Sequence, residues 1–143
     1  MFIAGAEAFN LSALNKGEAK MFDKAKKYVL TQLRDAAKSG ALPAKVALTT
    51  YKDDGTYKVF RPDEYVDGIA AKHEGAMADL AVEISREFPS VWVYLVPLSL
   101  DEYDKWLANR GLEDSPATRA MYAAESEKVR GEEIDNLKNG KDN

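Results

Sequence analysis

Residues 63–88 read DEYVDGIAAKHEGAMADLAVEISREF. Within them the large apolar side chains Val66, Ile69, Met77, Leu80 and Ile84 recur at the spacing of one helix face. Pro62, Asp63 and Glu64 form a helix start: proline has no N–H to lose in the first turn, and acids favour the positive end of the helix dipole. Pro89 closes the stretch. The spacing predicts one long helix with His73, the single histidine of the chain, on its bulky face. The opposite face is a row of small residues, Gly68, Ala71, Gly75, Ala78 and Val82. Two unlike faces predict packing on both sides, with the small row admitting either the Ser115–Glu125 helix or a second subunit. A glycine inside a helix costs roughly 1 kcal/mol against alanine, so Gly68 and Gly75 are the expected break points.

On the N-terminal side, Lys45–Tyr51 has the composition of a strand. Asp53-Asp54-Gly55 supplies a tight turn, and Thr56–Arg61 returns as a second strand, so a β-hairpin is expected. On the C-terminal side, Val91–Val96 is apolar on both faces, as in a strand covered above and below. A hairpin plus that strand leaves the strand at an edge, where it invites pairing. The expected cover is either residues 1–4 as a fourth strand or another chain.

Elsewhere the helix signals are clear. Ala19, Phe22, Ala25, Val29, Leu33 and Ala36 carry a helix over about 15–38, with Ser39-Gly40 as its stop. Ser99 and Glu102 make a capping box for a helix that ends at Gly111. Ser115-Pro116 starts another. Residues 1–14, with Phe2, Ile3, Phe9, Leu11 and Leu14, suit either a short strand or an apolar arm. The expected class is α+β in the order α-β-β-α-β-α-α, with a small three- or four-stranded sheet containing the hairpin. Residues 1–125 read as one domain, and 126–143 as a polar helical or disordered tail.

The chain has 143 residues, 45% hydrophobic and 31% charged, with a net charge of −4 and no cysteine. Disulfides and thiolate metal sites are thereby excluded. No basic leader or membrane-length apolar run is present, and a cytoplasmic location is expected. Charge is unevenly spread: residues 15–39 hold seven Lys/Arg against three Asp/Glu. Such asymmetry bears on partners rather than on fold.

Candidate chemistry is sparse. His73 titrates near neutral pH and would anchor a small enzyme, but Glu74 points about 100° away around the helix, and no nucleophile motif accompanies the pair. Packing is the simpler reading. Asp53-Asp54-Gly55 lacks the ligand spacing of a calcium loop, Asp101, Glu102 and Asp104 suit a helix start, and no glycine-rich phosphate loop occurs. Neither a metal nor a cofactor is expected. The face carrying Lys16, Lys20, Lys24, Lys27 and Arg34 would follow a phosphate backbone or an acidic protein, although Glu18, Asp23 and Asp35 interrupt it. Tyr51, Phe60, Tyr103 and Trp106 are candidate partner anchors, because such rings bury a large area and Tyr and Trp keep a polar handle.

The expectation is therefore a non-catalytic protein-binding module acting through aromatic and charged surfaces. Regulators, inhibitors and assembly factors, some of phage type, share this compositional profile, by analogy alone. The partner is another protein, or a second copy meeting through Val91–Val96 or the Gly68/Gly75 face. The alternatives are a nucleic-acid-binding protein using the first helix and a small enzyme using His73.

Overall fold

The computed structural model describes residues 16–138, with side chains over 22–137. Its elements are α1 (Lys16–Lys38), β1 (Lys45–Tyr51), α2 (Asp54–Phe60), a 3-10 turn (Pro62–Glu64), α3 (Ile69–Glu87), β2 (Trp92–Leu98), α4 (Leu100–Arg110) and α5 (Pro116–Lys138). The fold mixes helix and strand, broadly α+β. Among the described residues the sheet has two strands, β1 and β2, which run parallel with Lys45 opposite Trp92 and Tyr51 opposite Leu98.

The expected hairpin is not formed. Asp53 is a helix N-cap instead: its Oδ1 accepts from the Thr56 N–H at 2.8 Å and from the Thr56 hydroxyl at 2.7 Å. The first of these satisfies a first-turn N–H that would otherwise be orphaned. Thr56 and Tyr57 are then buried on one side of α2, so a stretch read as alternating becomes a short helix. The return to the sheet is made by the crossover through α2 and α3, the length of connection a parallel pair needs. A third or fourth strand is likewise not found among the described residues, and residues 1–4 lie outside them.

The 63–88 stretch is also corrected. The α-helix starts at Ile69, because Gly68 adopts a left-handed φ of 82° that side chains resist. Asp54 of α2 caps this start, accepting from the Gly68 N–H at 2.7 Å and the Ala70 N–H at 3.0 Å. Val66 falls outside the helix and is exposed, whereas Ile69, His73, Met77, Leu80 and Ile84 are fully buried. Among the described residues no other backbone packs on the small row, the Ser115–Glu125 helix included. Ala71, Gly75 and Ala78 face solvent, and nothing lies within 4 Å of a Cβ built on Gly75.

Parallel pairs need cover on both faces, and helices supply it. Lys45, Thr49 and Tyr94 hydrogen-bond to α5, which places alternate residues of both strands on the α5 side. The intervening Val46, Leu48 and Thr50 are buried on the other side, which α3 covers with α1 behind it. At the start of α4 the capping box is absent: Ser99 makes no side-chain cap, and the Leu100 N–H donates to Thr56 Oγ1 at 3.1 Å. The stop at Gly111 holds, with φ 63°.

Candidate interaction surface

The aromatic residues singled out in the sequence converge with Tyr122 of α5, although together they come from three helices and a strand. Phe60 at the end of α2 meets Tyr103 of α4 edge-on at 5.2 Å. Tyr103 meets Tyr122 of α5 at 5.2 Å, and Trp106 meets Tyr122 at 5.5 Å. Tyr51, the last residue of β1, closes the chain of rings at 6.1 Å from Phe60. Edge-on contacts of this kind add to the area term.

Burial then divides them. Tyr51 and Tyr122 are buried, and Tyr103 is only 1% exposed, while Phe60 and Trp106 keep part of their surface. Tyr103 is a pin between α4 and α5. Its hydroxyl donates to Asp114 Oδ1 at 2.6 Å and lies 2.9 Å from Thr118 Oγ1. Burial, then the bond to Asp114, raises the phenol above its ordinary range. Asp114 is held down to about 2 by the Arg119 guanidinium and then by Tyr103.

Two cavities flank this cluster. One, of ≈ 350 Å³, lies beyond the C-terminal ends of the strands and is lined by Tyr51, Phe60, Leu98, Pro116 and Arg119, among others. The other, of ≈ 310 Å³, opens between α4, α5 and the end of β2. Its walls include Trp106, Tyr122, Val96, Pro97 and Val129, with Glu102, Glu125, Arg130 and Glu133 around them. Arg110 stacks over Trp106 at 4.7 Å and pairs with Glu125 at 2.8 Å, and Arg130 pairs with Glu133 at 2.8 Å. The rim is thus charged, with two ion pairs and Glu102 as one further acid.

The basic residues are not brought to this site. Lys24, Lys27 and Arg34 are exposed on α1, which packs on α3 across the sheet from α5. Arg34 grips Glu87 through both carboxylate oxygens, at 2.6 and 2.8 Å. Lys27 pairs with Asp23 at 3.2 Å and Lys26 with Glu83 at 2.6 Å. The side chains of Lys16 and Lys20 lie outside the described residues.

His73 is sealed in the core, 0% exposed, with ring centroids 5.2 Å from Tyr51 and 5.6 Å from Tyr57. Burial first, and the Arg61 charge second, lower it to about 3, so at neutral pH it is an uncharged packed ring.

One feature escaped sequence reasoning. Glu127 lies under α5 against the sheet, 3% exposed, with Thr49 Oγ1 donating to its Oε1 at 2.8 Å and Oε2 left without a hydrogen-bond partner. Burial raises this carboxyl to about 7, against the lowering effect of Thr49. One turn on, Gly131 lets the Tyr94 hydroxyl and Lys45 approach: a Cβ there would stand 2.9 Å from the hydroxyl oxygen. Lys45 Nζ completes the seam by donating to Asp135 at 2.7 Å. The sequence signal was faint, a 123-127-131 spacing with small neighbours inside a stretch otherwise rich in charge.

Among the described residues no three acidic or histidine side chains are grouped to hold a metal ion, and no helix is long and apolar enough to cross a membrane. No protein-family model matches the sequence, and no curated protein matches it.

Proposed function

We propose that this chain is a non-catalytic protein-binding module, of the regulator, inhibitor or assembly-factor kind. Its contact side is the cavity between α4 and α5, the adjoining flank of α5 and the edge of β2 that no strand covers among the described residues. The observation that carries the reading is the collection of apolar surface there. Trp106, partly exposed, and Val129, 48% exposed, line the cavity together, while Leu137 farther along α5 is 69% exposed and Trp92 of β2 40%. Exposed apolar groups gathered on one side of a domain are costly in water and are the usual sign of a contact surface. The β2 edge adds backbone groups unpaired among the described residues, and such groups bind extended segments.

The alternatives rest on less. The described cations of α1 other than Lys24 and Lys38 pair largely with acids of α1 and α3, which leaves a broken field for a phosphate backbone. His73 has no access to a substrate. The test is capture from extract by the immobilised chain and three variants. A partner retained by wild type and Lys24→Glu but lost with Trp106→Ala and Val129→Glu supports the reading. A partner retained equally by all variants, or neither a captured partner nor self-association, contradicts it.

A further inference from the structure

We propose that the occupant of the β2 edge is a second copy of this chain, paired antiparallel about a two-fold axis at Tyr94. The inference rests on the reading of this side as a contact surface and names the partner. Its first support is the hydrogen-bond register. The Trp92 N–H donates to Ala44 O and the Lys52 N–H to Leu98 O, both at 2.9 Å. In a parallel pair that pattern turns the backbone of Trp92, Tyr94, Val96 and Leu98 toward β1 and that of Val93 and Leu95 outward. Two outward residues centred on Tyr94 are self-complementary. A two-fold there sets Val93 opposite Leu95 of the second copy, each exchanging N–H and C=O. The ladder stops by itself, because Pro97 has no N–H and the Val91 N–H is already bonded to Phe88 O at 3.0 Å.

The second support is what that register does to the side chains. Trp92, exposed in the single chain, falls opposite Val96 of the second copy, at the wall of the ≈ 310 Å³ cavity. Trp92 thus gains an apolar seat, reciprocally.

The third support is the α5 flank. Ser126, Val129, Arg130 and Glu133 line that cavity, and Leu137 continues the same flank at helical spacing. The Tyr94 hydroxyl reaches Glu127 O at 3.4 Å, so the axis passes beside the middle of this flank. Because α5 spans β1 and β2, the two copies of α5 would lie side by side on the order of 10 Å apart, normal for packed helices. Arg130 and Glu133 neutralise each other within one chain, so this pair adds no net charge to the seam.

The experiment combines solution mass with a register cross-link, made simple by the absence of native cysteine. Wild type at tens of micromolar should show twice the chain mass by light scattering, and Val129→Glu should weaken dimerisation about tenfold or more. Tyr94→Cys should form an intermolecular disulfide, since directly opposed residues of a non-hydrogen-bonded antiparallel pair meet within disulfide range. Should that variant fail to fold, Val93→Cys mixed with Leu95→Cys should cross-link as a mixed pair while neither does so alone. A monomer without cross-links overturns the proposal. If that monomer still captures another protein through Trp106 and Val129, only the self-pairing falls; if it captures nothing there, the binding reading falls with it. A monomer in which Ile3→Cys and Tyr94→Cys join within one chain assigns the edge to residues 1–4 and also overturns it.

Discussion

Replacing Glu127 with glutamine tests the packing of α5 on the sheet. The substitution keeps the shape and the acceptor for Thr49 but removes the ionisable group from a site that is 3% exposed. In the folded chain the carboxyl is raised from its ordinary 4.5 to about 7. A raised folded value means that the native state holds the proton more tightly than the unfolded chain. The stabilisation is therefore full below pH 4.5, is lost as pH rises toward 7, and is gone above it. That displacement corresponds to about 3 kcal/mol at ~1.36 kcal/mol per pH unit, and relaxation around a buried charge leaves roughly 2 kcal/mol. Relative to wild type, Glu127→Gln should change little at pH 4.5 and gain about 2 kcal/mol by pH 8, or roughly 6–8 °C in Tm for a chain of this size. Thermal unfolding followed by circular dichroism across that range reads the difference directly. Thr49→Val should steepen the wild-type pH dependence, because Thr49 is the donor that favours the ionised form, and the double variant should be flat. A constant offset between Glu127→Gln and wild type from pH 4.5 to 8 would refute the argument, since the carboxyl would then be titrating as if in water.

Other substitutions probe separate parts of the account by chemical denaturation. Gly75→Ala should stabilise by about 0.5–1 kcal/mol, because the helix gains propensity and the Cβ meets nothing; a loss would mean that the small row is covered. Gly131→Ala should instead destabilise, since its Cβ would stand 2.9 Å from the Tyr94 hydroxyl oxygen, and a gain would move α5 off the sheet. Asp53→Ala should lose about 1–2 kcal/mol with the cap of α2; a neutral result would return residues 54–60 to a turn and strand. Tyr103→Phe should lose about 1–2 kcal/mol by removing the hydroxyl's bonds to Asp114 and Thr118, and an unchanged midpoint would remove Tyr103 as the pin of α4 to α5.

Where the sequence was legible, the determinant was local. The bulky face of α3, the stops at Gly40 and Gly111 and the start at Ser115-Pro116 all follow from spacing or a single backbone preference within a few residues. The hairpin failed for a physical reason. An aspartate before Asp-Gly stabilises a tight turn and a helix N-terminus through the same side-chain-to-backbone bond. Six residues after it are too few for periodicity to decide between them. The capping box did not form, and the side-chain acceptor found at this helix start is Thr56, 44 residues earlier in sequence, which takes the Leu100 N–H that the box would have left open. Glu127 was invisible for a similar reason: its partner Thr49 is 78 residues away, and a glutamate among charges carries no sign of burial. The aromatic cluster was half legible, in that the residues were named but not which of them would keep a surface.

Residue-resolved amide exchange on the full chain tests the β2 contact side most directly. The N–H groups of Tyr94 and Val96 point toward β1 and should stay protected at every concentration, while those of Val93 and Leu95 should exchange freely in dilute solution and slow as the second copy binds. If Val93 and Leu95 exchange equally fast at all concentrations and with every captured partner, the edge of β2 is not where this protein makes its contacts.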